Sequence, residues 1–419
     1  MTNSSSSADG NVEMFTSGDW LDQEDTTVQL EVIALSMNLN LCLVADFQPE
    51  MDIFRSLLFP LSLLSSVVGS LIRVPISYEK VTKEADVYFL VGKVTLGSQN
   101  VYGLIDTGAP ETFSLWRHWY EKGHPGRCKD IIFGCYECSP EPCSERKPYT
   151  LDFGDGSEVR IFEESATAHF GSAVSATISF GLLAEYTYGP NVPVPHAGFG
   201  LAPQDDPKSP YIPIIEQLLA RELIESDIFS IYLRHDGTNE KGELLLGGSD
   251  PSMYKSPLVY VAVTTEDKFV RVTGFSLGGS AYPVIAVNDD GILDTGAECI
   301  FIPMHRYTLP TLIKDLEVRS SSKVTITQRG SKLIVNCNQR QHLPPMEFLL
   351  KGLDGSDVKL RIPSDAYVDI RTDAQGRAYC RVLLNVTDYP LWAIGLPSLI
   401  GRYFLYDWKN NKIGISELK

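Results

Sequence analysis

The sequence predicts an all-β chain folded as two duplicated lobes with a cleft between them, and three observations carry that prediction. From Val87 onward, short β-type runs are broken by Gly, Pro, Asn and Asp. The segment GLIDTGAPETF (103–113) returns as GILDTGAECIF (291–301), 188 positions later. Each copy is followed about 90 to 100 residues on by a second hydrophobic–Gly segment, AGFGLAP (197–203) and then WAIGLPS (392–398). A single repeated four-residue word would be weak evidence. Two coupled words in the same order, twice, indicate a duplicated lobe.

Residues 1–50 hold nine Asp/Glu and no Lys or Arg, so they carry −9 of the net −17 given by 36 Lys+Arg against 53 Asp+Glu. This stretch reads as an acidic N-terminal extension, disordered or not carried by the mature protein. Residues 51–70 read as a secretory signal peptide: one Arg, an apolar run, then small residues near Val68-Gly69-Ser70. The alternative is a signal-anchor over the uncharged stretch 56–72, which would hold the protein at a membrane. Residues 71–250 and 251–419 are then the N-terminal and C-terminal lobes, since 419 residues exceed one ordinary core. The acidic balance argues against nucleic-acid or anionic-membrane partners, which require a basic face.

Strand signals are clearest in VYFLVGKVTLG (87–97), FSIYLRH (229–235), ELLLGG (243–248) and KVTITQ (323–328). The one clear helical run is PYIPIIEQLLARELI (210–224), with apolar residues at three-and-four spacing. Four of the eight cysteines crowd together: Cys128, Cys135, Cys138 and Cys143. No second CxxC or HxxxH follows at metal spacing, so two short-loop disulfides are expected, with three connectivities open. Cys337 and Cys380 are expected to pair in the second half. Cys299 is left odd and reads as a small buried apolar side chain. NVT at Asn385 is a glycosylation candidate if the chain enters the secretory route. His118 and His124 lie in a polar stretch and read as solvated.

Asp-Thr-Gly after two aliphatic residues places a carboxylate where a buried strand must turn sharply. One such Asp would be an ordinary strand-end residue. Two, related by duplication, can face each other at the lobe junction. Like charges that close cannot both ionise, so Asp106 and Asp294 would share one proton and supply an acid and a base at the same pH.

On these segments, together with FGDGS (153–157), FSIYLRHDGTNEKGELLLGGSDP (229–251) and AIGLPSLIGRYFLYDWKNNKIGIS (393–416), residues 85–419 resemble a pepsin-like aspartic protease. The resemblance implies a bilobal β fold with a flap hairpin over the cleft. It implies an endopeptidase that needs no metal or cofactor and prefers hydrophobic residues on both sides of the cut. Asp106 and Asp294 would be catalytic, with Thr107, Gly108, Thr295 and Gly296 in the supporting loops and Phe153 and Gly154 on the flap. Gly108 and Gly296 would offer backbone N–H groups to the carboxylates. The expected partners are a peptide or protein substrate and pepstatin-type inhibitors. A monomer is expected, secreted or held in the lumen of a lysosome or the secretory pathway.

Three features depart from the pattern of the resemblance. Ala109 and Ala297 stand where a Ser or Thr usually follows DTG, which should raise the dyad's apparent pKa values. Phe153 stands where the flap usually has a Tyr bonded to a Trp, whose counterpart is placed at Trp116. Only residues 71–87 lie between the signal and Tyr88, where relatives carry a long basic prosegment; IRVPIS is expected to remain as a permanent outer strand. These departures sustain an alternative, a catalytically weak relative whose cleft binds peptides or proteins without cutting them.

Overall fold

The computed structural model describes residues 71–419 except 142, 145, 172–173, 190–193, 205, 236–239 and 374–375; the side chain of Ser280 is likewise not described. The expected extension (1–50) and signal segment (51–70) therefore lie outside the described residues, and of the alternative anchor stretch 56–72 only Leu71 and Ile72 are described. Among the described residues no helix is long and apolar enough to cross a membrane.

β1 (Ile72–Lys80) alternates inward Ile72, Val74, Ile76 and Tyr78 with outward Arg73 and Pro75. β2 (Tyr88–Leu96), β3 (Gln99–Asp106) and β4 (Thr112–Leu115) follow, then helix α1 (Arg117–Gly123). β5 (Tyr149–Asp152) turns back into the long β6 (Glu158–Phe170), which pairs along its length with β7 (Val174–Thr187). β8 (Gly198–Gly200), helix α2 (Ile214–Ala220), β9 (Phe229–His235) and β10 (Glu240–Leu246) complete the first half. In the second half come β11 (Val259–Ala262), β12 (Val270–Leu277), β13 (Ile285–Leu293) and β14 (Ile300–Pro303).

One sheet of thirteen strands runs from β11 through the two C-terminal strands (Arg402–Asp407 and Lys412–Glu417), β9, β10 and β1 to β2, β3, β8, β4, β7, β6 and β5, with β2 also meeting β6. Sheets of seven and four strands make up the rest of the second half. β1 is not the outer strand the sequence suggested. It pairs with β10 on one edge and β2 on the other, both antiparallel. Pro75, which has no N–H to give, is tolerated because pairing with β2 begins only at Ile76.

The duplication is visible in the pairing. β8 lies parallel to β3 and antiparallel to β4, with Asp106 opposite Gly200. The strand Trp392–Ile394 lies parallel to β13 and antiparallel to β14 in the same way. The second word of each repeat is thus a short strand threaded through the loop that carries the Asp. Gly is required where that strand passes. A Cβ on Gly200 would sit 2.5 Å from the Pro110 carbonyl carbon, and one on Gly395 would sit 2.2 Å from the Cys299 carbonyl oxygen.

Among the described cysteines, Cys128 pairs with Cys135, Cys138 with Cys143 and Cys337 with Cys380, and Cys299 is free and buried. Cys138, Cys143 and Glu164 form a group of potential metal ligands, but its two sulfurs are bonded to each other.

Candidate active site

Asp106 ends β3, and Asp294 directly follows β13. Buried aliphatic residues, Leu104 and Ile105 in one case and Leu293 in the other, anchor each approach to the turn. The two loops cross-brace each other. Thr107 N–H donates to Thr295 Oγ1 at 3.1 Å, and Thr295 N–H donates to Thr107 Oγ1 at 3.0 Å. Each hydroxyl then donates across the junction, Thr107 to the Leu293 carbonyl at 2.9 Å and Thr295 to the Ile105 carbonyl at 2.7 Å. Both threonines are buried, so these four bonds act where water does not compete. The Tyr406 hydroxyl, buried behind the loops, donates to the same Leu293 carbonyl at 3.3 Å.

The bracing brings the carboxyls of Asp106 and Asp294 within hydrogen-bonding reach of each other. Gly108 N–H donates to Asp106 Oδ1 and Gly296 N–H to Asp294 Oδ1, each at 2.8 Å. The glycines also make room. A Cβ on Gly108 would lie 2.9 Å from Asp294 Oδ1, and one on Gly296 would lie 2.5 Å from Asp106 Oδ1. Any side chain there would push the carboxyls apart.

Burial, and then the negative charge of Asp294, push Asp106 well above the usual carboxylate range; burial pushes Asp294 up as well. The N–H groups of Gly108 and Ala109 pull Asp106 down, and those of Gly296 and Ala297 pull Asp294 down, without overcoming burial. With alanine after each DTG, the donors these loops present are backbone groups. Double ionisation of carboxyls this close is disfavoured.

Phe153 and Gly154 lie in the turn joining β5 to β6. The turn is closed by Phe153 N–H to the Ser157 carbonyl at 2.9 Å and by Ser157 N–H to Asp155 Oδ1 at 2.8 Å. Nothing lies within 4 Å of where a Gly154 Cβ would be, so the tip faces open space. Phe153 does not take Trp116 as its ring partner. Its ring meets His196 edge-on at 4.9 Å between centroids, and Phe113 at 6.2 Å. Trp116 packs on Phe162 and His118 and lines a cavity of about 690 Å³ beside α1.

Sequence reasoning passed over His196. It stands two residues before β8, immediately ahead of the AGFG word, and that adjacency to a repeated segment was the available signal. Sequence reasoning also missed Glu298, two residues past Gly296. Its carboxylate accepts from Arg371 Nη2 at 2.5 Å and Tyr78 Oη at 2.9 Å, and pairs with Arg381 at 2.8 Å. Arg381 also reaches Cys299 Sγ at 3.8 Å, and burial pushes that thiol up to about 12, which leaves it inert. Asn385, half-buried in the strand Leu384–Thr387, accepts at Oδ1 from Val386 N–H at 2.9 Å.

A family model described as eukaryotic aspartyl protease matches residues 88–418. Pepsin B of Canis lupus familiaris is 26% identical over 359 residues, covering 81% of this chain and 84% of its own length. Gastricsin of Cavia porcellus is 27% identical over 209 residues, 48% of each chain. Renin of Echis ocellatus is 25% identical over 350 residues, 75% of this chain and 79% of its own.

Proposed function

The chain belongs to the eukaryotic aspartyl protease family, and from that premise we propose that it is an active endopeptidase, secreted or lumenal, that cuts between hydrophobic residues. The observation that carries this reading is the carboxyl pair itself. Asp106 and Asp294 lie within hydrogen-bonding reach of each other, held by a symmetric set of backbone and threonine bonds, and burial pushes both carboxyls upward, which supports one proton shared between them.

A water bound between the carboxyls is oriented by both. The ionised carboxylate accepts a proton from it as its oxygen attacks the scissile carbonyl carbon. The protonated carboxyl donates to the carbonyl oxygen as that oxygen gains negative charge. In the collapse step the protons return, one of them to the leaving amine, and the C–N bond breaks with no covalent enzyme intermediate. Backbone donors fixed before substrate arrives need no reorganisation during the step. Phe153 supplies an apolar cover that excludes water from the peptide.

A second reading, peptide binding without cleavage, draws on Ala109, Ala297 and Phe153, each of which lacks a hydroxyl. The test uses the full chain produced through an oxidising secretory route and assayed on a quenched peptide library from pH 2 to 8. An Asp106→Asn variant and a pepstatin-type statine peptide run alongside. Cleavage abolished by both is the expected result. Binding of the statine peptide with no cleavage at any pH overturns the protease reading in favour of the second.

A further inference from the structure

All seven histidines are described, and His196 alone is buried, at 4% exposed. It sits at a junction. Behind it, Ala197 accepts at its carbonyl from Leu104 N–H at 2.8 Å, two residues before Asp106. In front, its ring is boxed by Phe89 of β2, Phe113 of β4, Phe153 of the β5–β6 turn and Tyr186 of β7, with centroids 4.9 to 6.0 Å away. Among the described residues its polar contact is between Nδ1 and the Tyr186 hydroxyl at 2.9 Å. In the turn itself, the Ser157 hydroxyl donates to Asp155 Oδ1 at 2.5 Å. The end of β7 is pressed against the same turn: a Cβ on Gly189 would lie 2.5 Å from the Asp155 carbonyl oxygen.

We propose that His196, acting with Tyr186, is the positioning residue of the flap, and that the neutral imidazole is the form that holds the flap turn closed over a bound peptide. This rests on the flap reading given above. A neutral ring with its proton on Nε2 lets Nδ1 accept from Tyr186, which fixes the imidazole edge-on against the Phe153 ring of the turn. Protonation fills the Nδ1 lone pair, and the tyrosine loses its acceptor. It also places a cation among four aromatic rings. The ionisable groups facing it are Tyr186 on β7, with Tyr188 beside it, and Asp155 on the turn; β2 and β4 present only phenyl rings. Burial lowers His196 to about 4, and Asp155 only partly opposes this. The clasp is therefore intact in weak acid and released in strong acid.

The experiment measures binding of a pepstatin-type statine peptide by calorimetry at pH 5.5 and 3.5. It uses the full chain, His196→Phe, which keeps a ring but cannot titrate, and Tyr186→Phe, which keeps the ring but not the donor. The dyad's own pH dependence is common to all three proteins and cancels in the comparison. Between the two pH values the parent is expected to lose about fourfold more affinity than either variant. At pH 5.5 both variants are expected to bind more weakly than the parent, with KM raised more than kcat is lowered. Parallel pH dependences in parent and variants overturn the proposal, even if the variants are less stable. The same difference seen in a chain that never cleaves leaves the clasp standing while the protease reading falls. Failure of the statine peptide to bind at any pH overturns both.

Discussion

Ala109 and Ala297 leave the dyad with backbone donors where a hydroxyl could have stood, and this gives two expectations at single residues. Adding a hydroxyl that donates to the ionised form should lower the pair's apparent pKa values. Ala109→Ser and Ala297→Thr are therefore each expected to move the acid limb of kcat/KM down by about half to one pH unit, with no gain at neutral pH. Unchanged or raised limbs in both variants would refute this account. The second expectation concerns stability. The folded-state pKa of Asp106 lies above its unfolded value. Its contribution to stability is therefore complete below the unfolded carboxylate range and is lost as pH rises through the folded pKa. Asparagine cannot ionise and can still accept from Gly108 N–H. Asp106→Asn should abolish cleavage, and its melting temperature should gain on the parent's as pH rises from about 4 to about 7. A gap that does not widen with pH would count against a buried, proton-sharing pair.

At the scale of elements, the disulfides offer a graded prediction. Cys337–Cys380 closes a separation of 43 residues, and Cys138–Cys143 one of 5. Loop-closure entropy gives about 4 kcal/mol for the first and about 2 kcal/mol for the second. Paired Cys→Ser replacements are expected to lower the urea midpoint in that order, and the reverse order would show that strain or denatured-state structure dominates. Which elements were legible in the sequence follows from how local their causes are. FSIYLRH was read as a strand over 229–235, and β9 occupies those residues, because five buried positions are set by the run itself. The helix read over 210–224 shrinks to Ile214–Ala220. Pro213 precedes it without a side-chain cap, and the chain leaves helical geometry at Glu222, whose φ is +57°. The dyad loops were legible because duplication wrote them twice. Position alone could not tell that β1 is an inner strand, since its second edge is covered by a strand 170 residues away. The ring partner of Phe153 was not legible for a similar reason. The ring that meets it, His196, comes from a distant loop, while the chain after the DTGA loop turns Trp116 toward α1.

Across the whole molecule, the least local feature is a buried cluster of charge around Arg371, whose side chain is 0% exposed. Its guanidinium donates to Glu298 at 2.5 Å, to Asp369 at 2.7 Å and to the Tyr78 hydroxyl at 2.8 Å. It lies 3.6 Å from Asp86 and stacks over the Tyr88 ring at 4.4 Å. Lys332 and Tyr379 hold Asp86 from the other side, and Arg381 holds Glu298. One side chain thus joins β1, the link from β1 to β2 and the strand Val368–Thr372 to the loop that carries Asp294. Alternation hid it. In VDIRT the apolar Ile370 is 53% exposed while Arg371 is buried, the inverse of what an amphipathic strand leads one to expect. Removing one member of a buried charge network leaves the others desolvated and unpaired, at a cost of about 3–5 kcal/mol. Arg371→Met, close in length and apolar, is therefore expected to lower the unfolding free energy by about that amount at neutral pH. The loss should depend on pH in a definite sense. Burial raises Glu298, but Arg371 and Arg381 more than offset it, leaving its pKa below the ordinary value. The stability it contributes is present above the unfolded pKa and lost as pH falls through the folded one. Without Arg371 that advantage shrinks, so the difference between parent and variant should be larger at pH 7 than at pH 3. Because Glu298 is two residues from Gly296, kcat/KM should fall in the variant even where it remains folded. A variant that is destabilised equally at both pH values, with cleavage unchanged, would mean that Arg371 packs the junction without holding the dyad loop.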